Sequence, residues 1–468
     1  MIPFDALLPP LRQTTDPSVV AAIEHLLREA PDRALHRLNP LEFARSSNLD
    51  EEQTIAAFLH ATRLGIFEMS WNVLCPSCGG VLHAGTSLKS INRAEYHCAF
   101  CAAGYEPTLD EIVEVTFTVS PRIRHIAGHD PESLSIWEYC RQMFWSSGVD
   151  LPDDLDPVVK EITLEALELP PGEKAIVSLQ LPPKPIIVFD PVTHATQFIK
   201  VTGEPTPERQ SLSIRFDGAP ASSGAVELCP GPLRLSLENH HSMRVLPTVW
   251  IADERLDALV SRRRPYLTAK RLLTNQTFRD LYRTDMLDVD QRLKIASMTF
   301  LFTDLRGSTE LYERVGDLAA FDLVKAHFHV LTDSIVAESG AVVKTIGDAV
   351  MATFPTPARA VAAALRIRDG MGRLNAEQRR EDLLLKIGIH EGSCLAVTLN
   401  ERQDYFGQTV NIAARIQGMA DARAIFATSA VIDNHQALAL LEAQGIRPES
   451  HVTALRGISD ELTVYEIP

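Results

Sequence analysis

No uninterrupted apolar run in this 468-residue chain approaches the eighteen or so residues that a membrane-spanning helix needs. The start, "MIPFDALLPP", lacks the basic stretch and the long apolar stretch of a secretory signal, so the chain is expected to be cytoplasmic. Basic residues are in short supply: 45 Lys and Arg face 61 Asp and Glu, giving a net charge of −16, and the obvious basic run is "SRRRP" at 261–265. Such a balance repels nucleic acid and anionic lipid unless basic groups concentrate locally, so nucleic acid is not expected as a partner. Cysteine is scarce as well, and seven in a chain of this length exclude a disulfide-built scaffold. Aromatics reach only 6%, yet 45% hydrophobic and 23% charged residues are ordinary for a globular protein with room for two to four domains.

Four of the seven cysteines cluster. Cys75 and Cys78 form one CxxC in "CPSC", and Cys98 and Cys101 another in "CAFC". That spacing is the pattern of a structural zinc ribbon: four thiolates close a tetrahedral Zn²⁺ site with no position open for chemistry. A redox role is the competing reading, but thiol exchange needs only one such pair. Cys140, Cys229 and Cys394 stand alone and are expected to be packing residues, and His240-His241 to be a loop pair without a metal.

The chain reads as multidomain α+β. Residues 1–70 are expected to be helical, in a helix-turn-helix or winged-helix-like pattern, with Asp50 as an N-cap, Gln53 at the capping-box position, Ile55, Phe58 and Leu59 on the apolar face, and a stop near Gly65. The would-be recognition helix begins "DEE", which repels phosphate from the end that would enter a groove. The zinc ribbon spans 71–110. Residues 111–265 hold short alternating runs, from "EIVEVTFTVS" through "KAIVSLQL", "PIIVFDP", "TQFIKVTG" and "LSIRFDG" to "LRLSLEN", and are expected to form a β-sandwich-like domain. A connector helix is expected over 266–296. From 297 to 468 strands and helices alternate as in an α/β sandwich, with one long helix at about 309–338.

Within that last third, "FLFTDLRGST" at 300–309 sets a strand against Asp304, and Ser308 or Thr309 is placed to cap the helix that follows. "VVKTIGDAVMATF" puts Asp348 in a tight turn after Gly347. Two carboxylates at the tips of neighbouring strands suit hard cations such as Mg²⁺, although either could be simply a turn residue. In "DYFGQTVNIAARIQGMA", Asn411 and Arg415 lie four apart on one face of a helix; alone the pair could be a surface strip, but beside two metal-type aspartates it reads as a phosphate clamp.

With Asp304, Lys344, Asp348, Asp404, Asn411 and Arg415 in that order, residues 297–468 resemble the class III nucleotidyl cyclases. The resemblance implies a ferredoxin-like α/β sandwich that converts ATP to 3′,5′-cyclic AMP and pyrophosphate. It implies that Asp304 and Asp348 hold two Mg²⁺ (or Mn²⁺) ions, that Lys344 and Asp404 recognise the purine, and that Asn411 and Arg415 act on ribose and transition state. Arg456 in "LRGI" stands where the family usually has a lysine facing the triphosphate. Adenine offers an amino donor to Asp404 and a ring-nitrogen acceptor to Lys344, whereas guanine reverses that edge, so the pair reads as adenine-specific. The family's sites form between two such domains, so a homodimer is implied. Residues 1–296, including "TAKRLLTNQTFRDLYRTDML", resemble an uncharacterised region ahead of some bacterial cyclase domains and imply regulation by an unknown ligand or protein. The rival readings are an inactive nucleotide-binding regulator and a zinc-ribbon nucleic-acid binder; the six intact residues oppose the first and the acidic balance the second.

Overall fold

The computed structural model describes residues 4–217, 224–282, 287–288, 291–399, 402–420, 424–455, 458 and 461–468. The chain divides into two compact units, one of residues 1–107 and 111–267 and one of residues 108–110 and 268–468. Among the described residues no helix is long and apolar enough to cross a membrane.

The first unit opens with helices Leu8–Thr14, Pro17–Glu29, Pro40–Ser46 and Glu51–Arg63. Asp50 caps the fourth by accepting the Gln53 N–H at 2.9 Å, and the helix buries Ile55, Phe58 and Leu59. Phe58 packs against Phe67 and Phe117, with ring centroids 4.9 and 5.2 Å away. Those two rings belong to a sheet in which Phe67–Leu74 lies between Val81–Gly85 and Val113–Val119. This corrects the assignment of the 111–120 stretch to the β-rich domain, because it pairs antiparallel with Phe67–Leu74 from Phe67↔Val119 to Val73↔Val113. Alternation identifies the faces of a strand and not its partner. The β-rich region proper runs from Thr163 to Ile251 as a three-stranded and a five-stranded sheet. Leu181, Leu235 and Leu237 of one and Val188, Ile199 and Val249 of the other share a single buried core.

In the second unit the connector expected as one helix is two, α1 (Ala269–Leu273) and α2 (Gln276–Leu281). The division comes at Asn275, whose side chain accepts the Phe278 N–H at 3.1 Å and so starts a new helix. The sheet comprises β1 (Leu293–Leu305), β2 (Ala341–Ile346), β3 (Ala349–Phe354), β4 (Leu385–Leu399), β5 (Arg402–Phe406), β6 (Ile425–Thr428), β7 (Glu449–Ala454) and β8 (Glu461–Ile467). Its order is β2-β3-β1-β4-β6-β8-β7, with β5 paired to the far end of β4, and all pairs are antiparallel except β4 with β6. The expected single helix over 309–338 is also two, α3 (Ser308–Val315) and α4 (Asp317–Ala337), because the chain leaves the helical path at Gly316. Gly307, and not a hydroxyl residue, holds the N-cap position of α3.

One face of the sheet is covered by α4, α5 (Pro357–Glu377) and a C-terminal helix, His435–Ala443, which bring Leu331, Ile335, Val361, Leu365 and Leu441 onto Leu301, Ile387 and Ile389. The other is covered by α6 (Gln408–Met419), whose Ile412 and Ile416 meet Phe426 and Val464. Neighbouring β6 residues therefore serve opposite cores, as a pleated strand requires. Residues 108–110 complete this unit. Leu109 donates to the Lys294 carbonyl at 3.0 Å, and Lys270 donates to the Leu109 carbonyl at 2.7 Å. The Asp110 carboxylate accepts the N–H groups of Ala296 and Ser297 at 3.0 and 3.1 Å.

Candidate active site

Thr303 of β1 lies opposite Val350 of β3, so Asp304, at the end of β1, and Asp348, in the β2–β3 turn, come to the same edge of the sheet. The turn rests on Gly347, whose φ of +65° suits a residue without Cβ; nothing lies within 4 Å of where a Cβ would sit, so conformation and not space requires the glycine. Burial pushes the Asp304 carboxyl above the usual carboxylate range, and the charge of Asp348 adds to this, while Lys386 and a hydrogen bond from Gln417 oppose it. Asp348 Oδ2 is buried without a hydrogen-bond partner among the described residues. Beneath it, His327 Nε2 lies 3.2 Å from the Asp348 carbonyl, which can only accept, so the ring carries its proton there. His327 is fully buried, and burial depresses its pKa and keeps it neutral. Two crowded carboxylates with an unsatisfied oxygen form the donor set that hard divalent cations take, and the residues fit Mg²⁺ or Mn²⁺.

Lys344 and Asp404 come together from separate strands, β2 and β5, as an ion pair between Nζ and Oδ2. The other oxygen of Asp404 accepts the Tyr405 N–H at 2.8 Å. An ammonium donor and a carboxylate acceptor thus stand side by side, as the edge of adenine demands. β2 is irregular just before this point. Val342 pairs with Ala352 and Lys344 with Met351, which leaves Val343 as a bulge with no partner of its own across the ladder.

α6 lies unusually close to β4. A Cβ on Gly388 would meet the Gln417 backbone nitrogen at 2.2 Å, so glycine permits the helix to rest against the strand. With Ile412 and Ile416 buried against the sheet, Asn411 and Arg415 project outward, and neither side chain makes a hydrogen bond or ion pair to another described residue. Two of the expected pairs are thus assembled within one chain, Asp304 with Asp348 and Lys344 with Asp404, while Asn411 and Arg415 are exposed on α6. Arg456 lies outside the described residues. His327, Lys386 and Gln417 join the site without a signal in their local sequence, since each acts through a residue distant in the chain.

In the first unit the sulfurs of Cys75, Cys78, Cys98 and Cys101 lie within 4.8 Å of one another. The Cys75–Cys101 and Cys78–Cys98 separations are both 3.7 Å. A tetrahedron of Zn–S bonds about 2.3 Å long has edges of about 3.8 Å, so the four sulfurs fit Zn²⁺. Behind them Trp145 and Trp250 stack with centroids 6.2 Å apart, within the same buried cluster as Cys75, Cys78 and Cys98.

Residues 1–280 match a family of unknown function (DUF5939), and residues 291–461 match the adenylate and guanylate cyclase catalytic domain. Over 132 residues the chain is 35% identical to adenylate cyclase 2 of Rhizobium meliloti, which covers 26% of this chain and 36% of that protein. Over 172 residues it is 31% identical to an adenylate cyclase of Mycosarcoma maydis, covering 32% of this chain and 7% of that protein. The chain therefore spans well under half the length of either relative. Among solved structures, the adenylyl cyclase CyaB from P. aeruginosa aligns at 24% identity and a TM-score of 0.34, covering 38% of this chain and 96% of that one.

Proposed function

The chain belongs to the DUF5939 family of unknown function through residues 1–280 and carries an adenylate and guanylate cyclase catalytic domain over 291–461, and from that premise we propose that it converts ATP to 3′,5′-cyclic AMP and pyrophosphate. The observation that carries this reading is the Lys344–Asp404 pair, which offers adenine a donor and an acceptor in the order its edge requires. Asp404 and Lys344 bind the base, and Asn411 and Arg415 are free to engage ribose and the α-phosphate. Asp304 and Asp348 would hold two Mg²⁺ (or Mn²⁺) ions, which supply Lewis-acid activation of the ribose 3′-hydroxyl and neutralise phosphate charge. Arg415 meets charge that grows on the phosphoryl oxygens, and Arg456 engages the triphosphate, so rate acceleration comes from electrostatics and positioning. Purified protein given Mg-ATP or Mn-ATP should release cyclic AMP; no cyclic AMP from folded, metal-supplied dimer would refute the reading.

The site is shared by two copies of the chain. Ile346, Phe406 and Met419 are apolar and exposed on the same strands and helix that carry Lys344, Asp404 and Asn411, which supports a face covered by a second catalytic domain. The four cysteines hold one structural Zn²⁺, and the first unit acts as the regulatory part, answering to a ligand or protein of its own.

Two results are expected here. Lys344→Glu combined with Asp404→Cys rewrites the donor and acceptor pattern, and mispairing two polar groups shifts preference towards GTP by about 10²-fold. Turnover of both nucleotides, measured on a folded double variant, checks it; an unchanged ATP preference puts purine choice elsewhere. Elemental analysis should find one zinc per chain, and metal-free protein with four titratable thiols at these positions would contradict the ribbon.

A further inference from the structure

Arg279 lies on α2, at the very end of the region matched to the family of unknown function, and is only 9% exposed. Its Nη2 donates to two backbone carbonyls, Val343 at 3.3 Å and Gln403 at 3.0 Å. These are the residues immediately before Lys344 and Asp404. Val343 is the bulge of β2, the residue whose backbone the ladder leaves unpaired and whose insertion sets the direction of the next side chain. β2 is also the edge of the sheet, and α2 closes it: Gln276 Oε1 accepts the Val342 N–H at 2.8 Å, one residue before the bulge. One planar guanidinium thus ties the strand of Lys344 to the strand of Asp404, which do not pair with each other.

We propose that Arg279 is a positioning residue for purine recognition, holding Lys344 and Asp404 at the separation that reads adenine. The inference rests on the adenine reading of that pair. Two further observations support it. Arg279 Nη1 and Gln403 Oε1 are buried and have no hydrogen-bond partner among the described residues, where the guanidinium is held by the two carbonyls and not by a carboxylate. A cavity of about 220 Å³ opens beside it, lined by Arg279, Gln276, Lys344, Thr345 and Gln403, so the two strands have room to shift when the bridge is cut. Lysine is not expected to replace it: both bonds leave one amino group, Nη2, whose two N–H directions are fixed in the guanidinium plane, and an ammonium on a shorter, flexible stem holds no such direction.

The test is steady-state kinetics of the full chain with ATP and GTP, for Arg279→Met, Arg279→Lys and Lys344→Ala. Arg279→Met is expected to raise the KM for ATP by about 10- to 100-fold, with a smaller change in kcat, and to erode discrimination against GTP by a similar factor. A merely structural role predicts lower Tm and lower active fraction with KM and discrimination unchanged, and that outcome overturns the proposal. Arg279→Lys is expected to lose discrimination too; if it behaves as the wild type, the fixed direction of the guanidinium is not what holds the two strands, and the proposal fails. Should Arg279→Met not fold, the lysine variant is measured in the same way, and retained discrimination in it overturns the proposal by itself. Lys344→Ala separates the two claims. If it leaves KM and discrimination unchanged, the adenine reading itself is wrong; if it raises KM while a folded Arg279→Met does not, only the role of Arg279 falls.

Discussion

Asp304→Ala and Asp348→Ala should each lower cyclic AMP formation by about 10³-fold, since Lewis-acid stabilisation by a held cation is worth several kcal/mol. The same variants should keep or raise Tm. Both carboxylates sit at the ends of sheet strands, Asp304 is pushed up by burial and by the charge of Asp348, and Asp348 Oδ2 has no partner among the described residues, so removing either relieves repulsion, and Asp304→Ala gives up in return only the hydrogen bond from the partly exposed Gln417 and the attraction of Lys386. A site that opposes stability while carrying activity is the trade-off expected of functional carboxylates. Turnover with Mn²⁺ and Mg²⁺, read beside a thermal melt, checks both halves. Near-normal turnover in either variant removes the metal assignment, and a melt lowered by several degrees shows that the aspartate is structural instead.

Mixing two dead proteins should restore activity. Asp348→Ala disables the carboxylate side of a shared site and Asn411→Ala the helix side. In a head-to-tail pair of catalytic domains, the heterodimer places both lesions in one site and leaves the other whole. Equal mixing with free exchange makes half of the dimers mixed, each with one working site of two, so about a quarter of wild-type activity per chain is expected. The outward projection of Asn411 and Arg415, with no partner among the described residues, is the structural basis of this expectation. Heterodimers verified by differential tagging that remain inactive would put all six residues in one subunit's site. Specific activity independent of dilution, far below the dimer's dissociation constant, would do the same.

How far the sequence discloses this arrangement depends on the range of the interaction. The strand β1 that carries Asp304 near its end and the Gly347-Asp348 turn are local patterns, written in adjacent residues, and they are found where alternation and turn chemistry put them. The Asp50 cap is legible for the same reason. In the connector, the helical spacing of Phe278, Leu281 and Tyr282 suggests one continuous helix, and it masks the Thr274-Asn275 pair, whose capping chemistry divides it. The strand at 113–119 takes partners other than those expected, since its alternation is compatible with any sheet that offers apolar faces. Arg279 lies beyond such reasoning. Its partners are 64 and 124 positions away, both are backbone carbonyls with no side-chain signature, and one is exposed to it only through a bulge. The fit of four sulfurs to one cation is legible because CxxC geometry is local, even though the two turns are brought together by the hairpin Tyr96–Tyr105 and its neighbours.

The pairing of residues 108–110 with the start of β1 has a consequence for how the nascent chain matures. Asp110 waits for partners 186 and 187 positions further on. At about 5–20 residues per second, a ribosome takes on the order of 10–40 s to deliver them. Every residue of the first unit has been synthesised by position 267, before any strand of the catalytic sheet exists. The cysteine-bearing unit can therefore close while Thr108–Asp110 is still unpaired, and the catalytic sheet then forms against a segment already tethered to a folded body. In a pulse of synthesis, protection of the cysteines should precede the appearance of enzyme activity by that interval or more.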